Sequence, residues 1–105
     1  MKIESVAEYI DGYLSVRGHP DYRAAYNGLQ VEGTRDVRLI GAAVDASVAT
    51  IEAAVAADVD LLLVHHGLFW GGSAPLTGPL YRRVLPLMQE GLGLYSAHLP
   101  LDAHV

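Results

Sequence analysis

Apolar positions recur at helical spacing near the start of the chain. Val6, Tyr9, Ile10, Tyr13 and Leu14 fall on one face of a helix that opens at Ser5. Ser5 and Glu8 have the spacing of a capping box, and Gly18 and Pro20 end the helix. The periodicity lapses over 21–33, where Asn27-Gly28 signals a turn and Leu29 to Glu32 reads as a short strand closed by Gly33. Val37 to Val44 (VRLIGAAV) is mostly apolar and reads as a buried strand, with Asp45 at its carboxyl end. Ser47 then caps a helix to about Ala57 whose Val48, Ile51 and Val55 turn to the core. Leu61 to Val64 is a second buried strand, and His65-His66-Gly67 stands at its end. Residues 67–79 are rich in glycine and proline and form a loop. A third helix follows from Pro79 to Glu90, with Thr77 as its cap and Pro79 in its first turn. Pro86 should kink or split that helix. Gly91 ends it, Leu92 to Ser96 reads as a third strand, and Ala97-His98-Leu99-Pro100-Leu101-Asp102 comes after.

Continuous apolar strands joined by helices predict an α/β fold, a parallel or mixed sheet with helices on both faces. The strand–helix–strand crossovers should be right-handed. No repeat, linker or low-complexity tract divides residues 1–105, which read as one α/β unit.

Candidate ligands gather where the strands end. In open α/β sheets the functional crevice lies outside the carboxyl ends of the strands. Asp45, His65-His66 and His98/Asp102 each follow a predicted strand, so three strand ends deliver His or Asp to one edge. Adjacent side chains on a regular strand point to opposite faces. At the strand end, with Gly67 letting the backbone turn, both histidines can lean into the crevice, one toward each of two neighbouring ions. The competing reading puts one in the core and one in solvent. Pro100 argues against a helix between His98 and Asp102, so the two should sit on an extended turn, Asp102 as a chelating or bridging carboxylate and His98 as a ligand or as a group orienting one. Asp102 could instead simply cap the next element. For Asp45 the favoured reading is structural, ending its strand and helping cap the next helix. His19 reads as an exposed loop residue, and His104 sits too near the terminus to judge.

Composition narrows the chemistry. With no cysteine, disulfides, thiolate metal sites and thiol nucleophiles are excluded. Imidazole and carboxylate ligands suit divalent Zn, Fe, Mn, Ni or Mg. The net charge is −5 with a single lysine and scattered arginines, which argues against nucleic-acid binding. The charged fraction of 18% is below the roughly 25% usual for soluble domains, so part of the surface should be covered by another chain or segment. The N-terminus is no signal peptide and no apolar run could span a bilayer, so a cytoplasmic location is expected. GLFWGG lacks the lysine and spacing of a P-loop, Gly91-x-Gly93 precedes a strand rather than a helix, and no Gly-x-Ser-x-Gly elbow occurs.

DLLLVHHGLFWGG (Asp60 to Gly72), YSAHLPLDAH (Tyr95 to His104) and NGLQVEG (Asn27 to Gly33) together resemble the signature segments of the GTP cyclohydrolase 1 type 2 homolog family, also called NGG-interacting-factor-three-like. The resemblance covers essentially the whole chain. It implies two divalent metal ions in a pocket and ring-shaped homohexamers built as trimers of dimers. By motif match His65 and His66 resemble the two histidine ligands, one per metal, Asp102 the carboxylate ligand, and His98 a histidine lining the same pocket. Family activity is unsettled. The name records a GTP cyclohydrolase, and a metal-dependent hydrolase of nucleotide-like substrates is the leading expectation, with His98 as the proton-transfer residue. Metal storage or delivery without turnover is the alternative, and a structural part that acts only with a partner is the third. Family members also supply a His-x-x-x-Glu pair near their C-terminus. No such pair occurs within these 105 residues, so the expectation is part of the family fold with a weakened metal site.

Overall fold

The computed structural model describes residues 1–21, 25–70 and 74–103. Its elements run α1 (Ile3–Tyr13), β1 (Gly28–Val31), β2 (Ile40–Asp45), α2 (Val48–Ala56), β3 (Leu61–His66), α3 (Gly78–Glu90), β4 (Gly93–Ser96) and α4 (Leu99–Asp102). The strands form one sheet in the order β1-β4-β3-β2. β2, β3 and β4 are parallel, joined through α2 and α3, and β1 adds to β4 antiparallel. The predicted mixed α/β sheet with helices on both faces is therefore observed.

Alternation along the strands divides the core in two. Leu62, Val64 and Leu94 face α2 and α3 and pack with Ile51, Ala54 and Leu87. Leu61 and Tyr95 face the other way and pack with Ile3, Val6, Ala7 and Leu14 of α1 and its exit. The Tyr95 hydroxyl donates to Asp11 Oδ1 at 2.5 Å, and burial, then this bond, push its pKa above the ordinary phenol range.

Several boundaries differ from the sequence reading, each for a physical reason. α1 begins at Ile3 with Lys2 at the cap position and no capping side chain, because Val6 N already bonds Lys2 O. Tyr9 and Tyr13 are exposed and stack on each other rather than entering the core. β2 starts at Ile40 and is the sheet's edge, with Ile40 and Val44 exposed instead of buried. Apolar runs do mark buried strands, but α1 covers only the β1/β4 side of its face and leaves β2's side open. Val48, at the start of α2, is likewise exposed, while Ser47 caps as expected, its Oγ accepting from Thr50 N. Pro86 does not split α3, which runs unbroken from Gly78 to Glu90. Nor does Pro100 prevent a helix. It occupies the first turn of α4, where the missing N–H costs nothing.

The end of the sheet away from the strands' carboxyl termini is tied by Asp60. Its Oδ2 accepts from Arg38 N (2.9 Å) and Leu39 N (3.0 Å). Arg35 bridges Asp58 and Asp60 while donating to Glu90 O at the end of α3. The two backbone N–H groups, with a lesser contribution from Arg35, hold the Asp60 carboxyl below its usual 3.8 against the opposing effect of burial. A depressed folded-state pKa gives stability that is present above the unfolded value and lost as pH falls through the folded one. Urea denaturation across pH should therefore show stability falling below about pH 4, and Asp60→Asn should flatten that fall. An unchanged acid limb in the variant would remove Asp60 from the account. Among the described residues, no helix is long and apolar enough to cross a membrane.

Candidate metal centre

The three parallel strands end at one edge, and each brings a ligand-type residue there. β2 ends on Asp45 and β3 on His65-His66, while His98 follows β4 by two residues as the N-cap of α4. β3 is continuous through both histidines, yet their rings lie 4.5 Å apart, centroid to centroid. His98 completes the group at 4.6 Å from His65 and 5.5 Å from His66. One nitrogen from each of the three imidazoles lies within 4.8 Å of the others, so His65, His66 and His98 can hold a metal ion.

Each imidazole is paired with its own carboxylate. His65 Nε2 is 3.0 Å from both Asp102 oxygens. His66 Nδ1 is 2.7 Å from Asp45 Oδ1, and His98 Nδ1 is 3.0 Å from Asp21 Oδ1. The first two pairs lie toward solvent, whereas the Asp21 and His98 side chains are 6% and 13% exposed.

The helical turn of α4 explains how Asp102 reaches His65. Asp102 N bonds His98 O across the turn, which sets the two side chains on one side of α4. Asp45 departs from its structural reading, since Ser47 does the capping and the Asp45 carboxylate turns to His66. His19 bonds the Pro20 carbonyl at 2.7 Å and is not in the group. His104 lies outside the described residues.

Sequence reasoning missed the supporting residues. Asn27 Oδ1 accepts from His98 N at 2.6 Å, and its Nδ2 donates to Asp21 Oδ2. Gln30 is the extra residue of a bulge in β1, between Leu29 opposite Tyr95 and Val31 opposite Leu94. Bulges re-aim side chains, and here Gln30 Oε1 accepts from Leu68 N (2.8 Å) while Nε2 donates to Tyr26 O. The NGLQVEG segment thus braces both the His98 turn and the turn after His66. Trp70, pinned by a bridge to Ala25 and an indole bond to Gly67 O, stands edge-on to His98 at 5.1 Å and walls the group.

The fit around Gly67 is close. A Cβ there would come within 2.4–2.7 Å of the Gln30 amide. That amide is the end of a mobile side chain, so Gly67→Ala should fold, with Gln30 displaced and Leu68 N deprived of its acceptor. Thermal and chemical denaturation should show a loss of about 1 kcal/mol, with metal affinity reduced as the turn after His66 loosens. Wild-type values for both would mean that Gln30 does not brace the site.

The profile of the Duf34/NIF3 (NGG1p interacting factor 3) family matches residues 1–105. The chain is 48% identical over 101 residues to a GTP cyclohydrolase 1 type 2 homolog of Deinococcus radiodurans, covering 96% of this chain and 38% of that protein. It is 44% identical over 104 residues to the homolog of the same name in Archaeoglobus fulgidus, covering 99% and 42%. A crystal structure of a Thermus thermophilus protein superposes with a TM-score of 0.91 at 50% identity, over 99% of this chain and 43% of that one. Reduced HcgD from Methanocaldococcus jannaschii superposes at 0.83 and 31% identity, over 97% and 41%. A mixed α/β sheet that brings three histidines to one edge fits a metal-binding protein. The chain belongs to the Duf34/NIF3 family and spans about two-fifths of the length of these relatives.

Proposed function

We propose that the chain supplies part of a binuclear divalent-metal centre that hydrolyses a nucleotide-like substrate. The observation that carries this reading is the group of three imidazoles, each backed by a carboxylate, at one edge of the sheet. The donor set fits the hard to borderline ions Zn, Fe, Mn, Ni or Mg. His65, His66 and Asp102 would hold the ions. Bound metal would supply a water of lowered pKa and an electrophile for anionic oxygens. His98 would accept and return the proton, its ring oriented by the Asp21 carboxylate at Nδ1. Trp70, perpendicular to His98 and partly exposed, would offer an aromatic surface beside which a heterocyclic base can lie. The names of the relatives make a guanine nucleotide the first substrate to try.

The test is elemental analysis of untagged, chelator-free chain beside a His65→Ala/His66→Ala/Asp102→Ala control, followed by nucleotide turnover. Metal in the wild type, its loss in the control, and hydrolysis that fails in His98→Ala with metal retained are the expected results. Retained metal with no turnover, and its ready transfer to an acceptor, would favour storage or delivery instead. Intact turnover in His98→Ala would remove its proton-transfer role.

One observation favours a further requirement. Leu39, Ile40 and Val44 are exposed along the open edge strand, Val44 by 62%, so we infer that function requires association, with copies of the chain or with the rest of the family fold. Sedimentation showing only monomers with full metal content and turnover would overturn that.

A further inference from the structure

The sheet has two edges, and they differ in how they are guarded. β1 is four residues long, carries the bulge at Gln30 and is followed by Glu32. Short length, a bulge and polar side chains are the ordinary defences of an edge strand against pairing with another chain. β2, at the other edge, has six residues, IGAAVD, in unbroken register with β3 and with no lysine, proline or bulge. Its Ile40 and Val44 side chains stand in solvent.

The backbone of β2 defines what this edge can accept. Leu61 N bonds Leu39 O, so residues 39, 41 and 43 turn their peptide groups to β3. By the alternation of a strand, Ile40, Ala42 and Val44 turn theirs to the open side. The side chains divide in the same way. Ala43 packs on the core beneath α2 and α3, and a Cβ at Gly41 would touch Val59 of that core. Ile40, Ala42 and Val44 lie on the opposite face, which α1 leaves open.

We propose that β2 pairs antiparallel with β2 of a second copy, about a two-fold axis that passes between the two Ala42 residues and joins two four-stranded sheets into one. An isologous contact must be self-complementary, and this strand is. Ile40 falls opposite Val44 of the partner subunit, Ala42 opposite its own counterpart, and Gly41 opposite Ala43 of the partner subunit. Apolar side chains meet on the open face, the smallest residues meet at the axis, and Asp45 meets Leu39 rather than a like charge. Ile40, Ala42 and Val44 all turn their N–H and C=O outward, so each of their pairs can exchange both hydrogen bonds. The inference rests on the association reading above and names its partner as a second copy.

The test is sedimentation equilibrium of the full chain, metal-free, over a dilution series. The wild type should associate. Ile40→Lys and Val44→Glu should each raise the dissociation constant by about tenfold or more, because each breaks an apolar cross-strand pair twice in the dimer. The double variant Ile40→Lys/Val44→Glu sets opposite charges across both pairs and should recover most of that loss. Positions 40 and 44 are too far apart along one strand to meet within a copy, so recovery reads the register itself. Hydrogen exchange on the wild type supplies a readout that needs no variant: the amides of Ile40, Ala42 and Val44 should gain protection as concentration rises. Association indifferent to both single changes, no recovery in the double variant, or those amides unprotected in the associated state would each overturn the pairing. Monomers throughout the series would overturn it too and leave this edge to the rest of the family fold. Monomers that nonetheless bind metal and turn over nucleotide would sink the association reading as well, whereas inactive monomers would sink the pairing alone.

Discussion

Zinc or another fitting divalent ion, supplied at a hundred times its Kd, should raise the unfolding free energy of this chain by about 2.7 kcal/mol. In a domain of this size that is a rise in Tm of about 10–20 °C. Mass action gives this shift for any ion that binds only the folded state. His65 and His66 come from β3 and His98 from the turn after β4, parallel strands whose register sets Leu61 opposite Gly93 and Val64 opposite Ser96, and the unfolded chain cannot keep them together. His65→Ala should abolish the shift while costing little without metal. The bond it removes joins His65 to a half-exposed Asp102, and exposed pairs contribute about 0–1 kcal/mol. Wild type and variant should therefore melt together in chelator and apart in metal. Equal melting in both conditions would mean that these residues hold no ion.

The legible part of this molecule was the part written in local pattern. Leu61 to Val64 and Leu92 to Ser96 could be read as strands because buried strands must be apolar on both faces, and the structure places both in the sheet centre. Ser47 could be read as a cap because capping acts over three residues. Edge position cannot be read this way. VRLIGAAV has the composition of a central strand, and only the layout of α1 shows that β2 is left open on that side. Pro100 misled for a related reason. A proline's cost depends on its position within a helix, and Pro100 falls in the first turn of α4, where no N–H is required.

The candidate site divides along the same line. His65, His66, His98 and Asp102 were visible because motif and strand end coincide in sequence. Asp21 was invisible because it meets His98 across 77 positions, from a segment with no periodicity. Asn27 was visible only as a turn former, and the structure shows that the same side chain holds the His98 backbone. Asp45 carried two chemically sound readings, capping and ligation. Ser47 two residues later took the first, which turned the Asp45 carboxylate to His66.

Gly33→Ala should be the most damaging conservative change in the chain, and Gly12→Ala should be stabilising. Gly33 has φ +72°, which a residue with a Cβ adopts at a cost of about 1–2 kcal/mol. A Cβ there would also lie 2.7 Å from Gly93 N, 2.9 Å from Gly91 O and 3.0 Å from Gly93 Cα. All three are backbone atoms at the point where α3 ends and β4 begins, so no side chain can swing aside. Relief requires the end of β1 to move off β4, and β1 carries the Gln30 bulge that braces the turn after His66. The combined loss should be about 3 kcal/mol or more, a large share of the 5–15 kcal/mol typical of a domain. Gly12 lies within α1, with nothing inside 4 Å of an added Cβ. There alanine should gain about 0.5–1 kcal/mol of helix propensity. Parallel urea denaturation of both variants checks the pair. A Gly33→Ala variant as stable as the wild type would show that the tight junction of β1, α3 and β4 does not depend on glycine at position 33, and with it would go the claim that this junction positions Gln30 for the site.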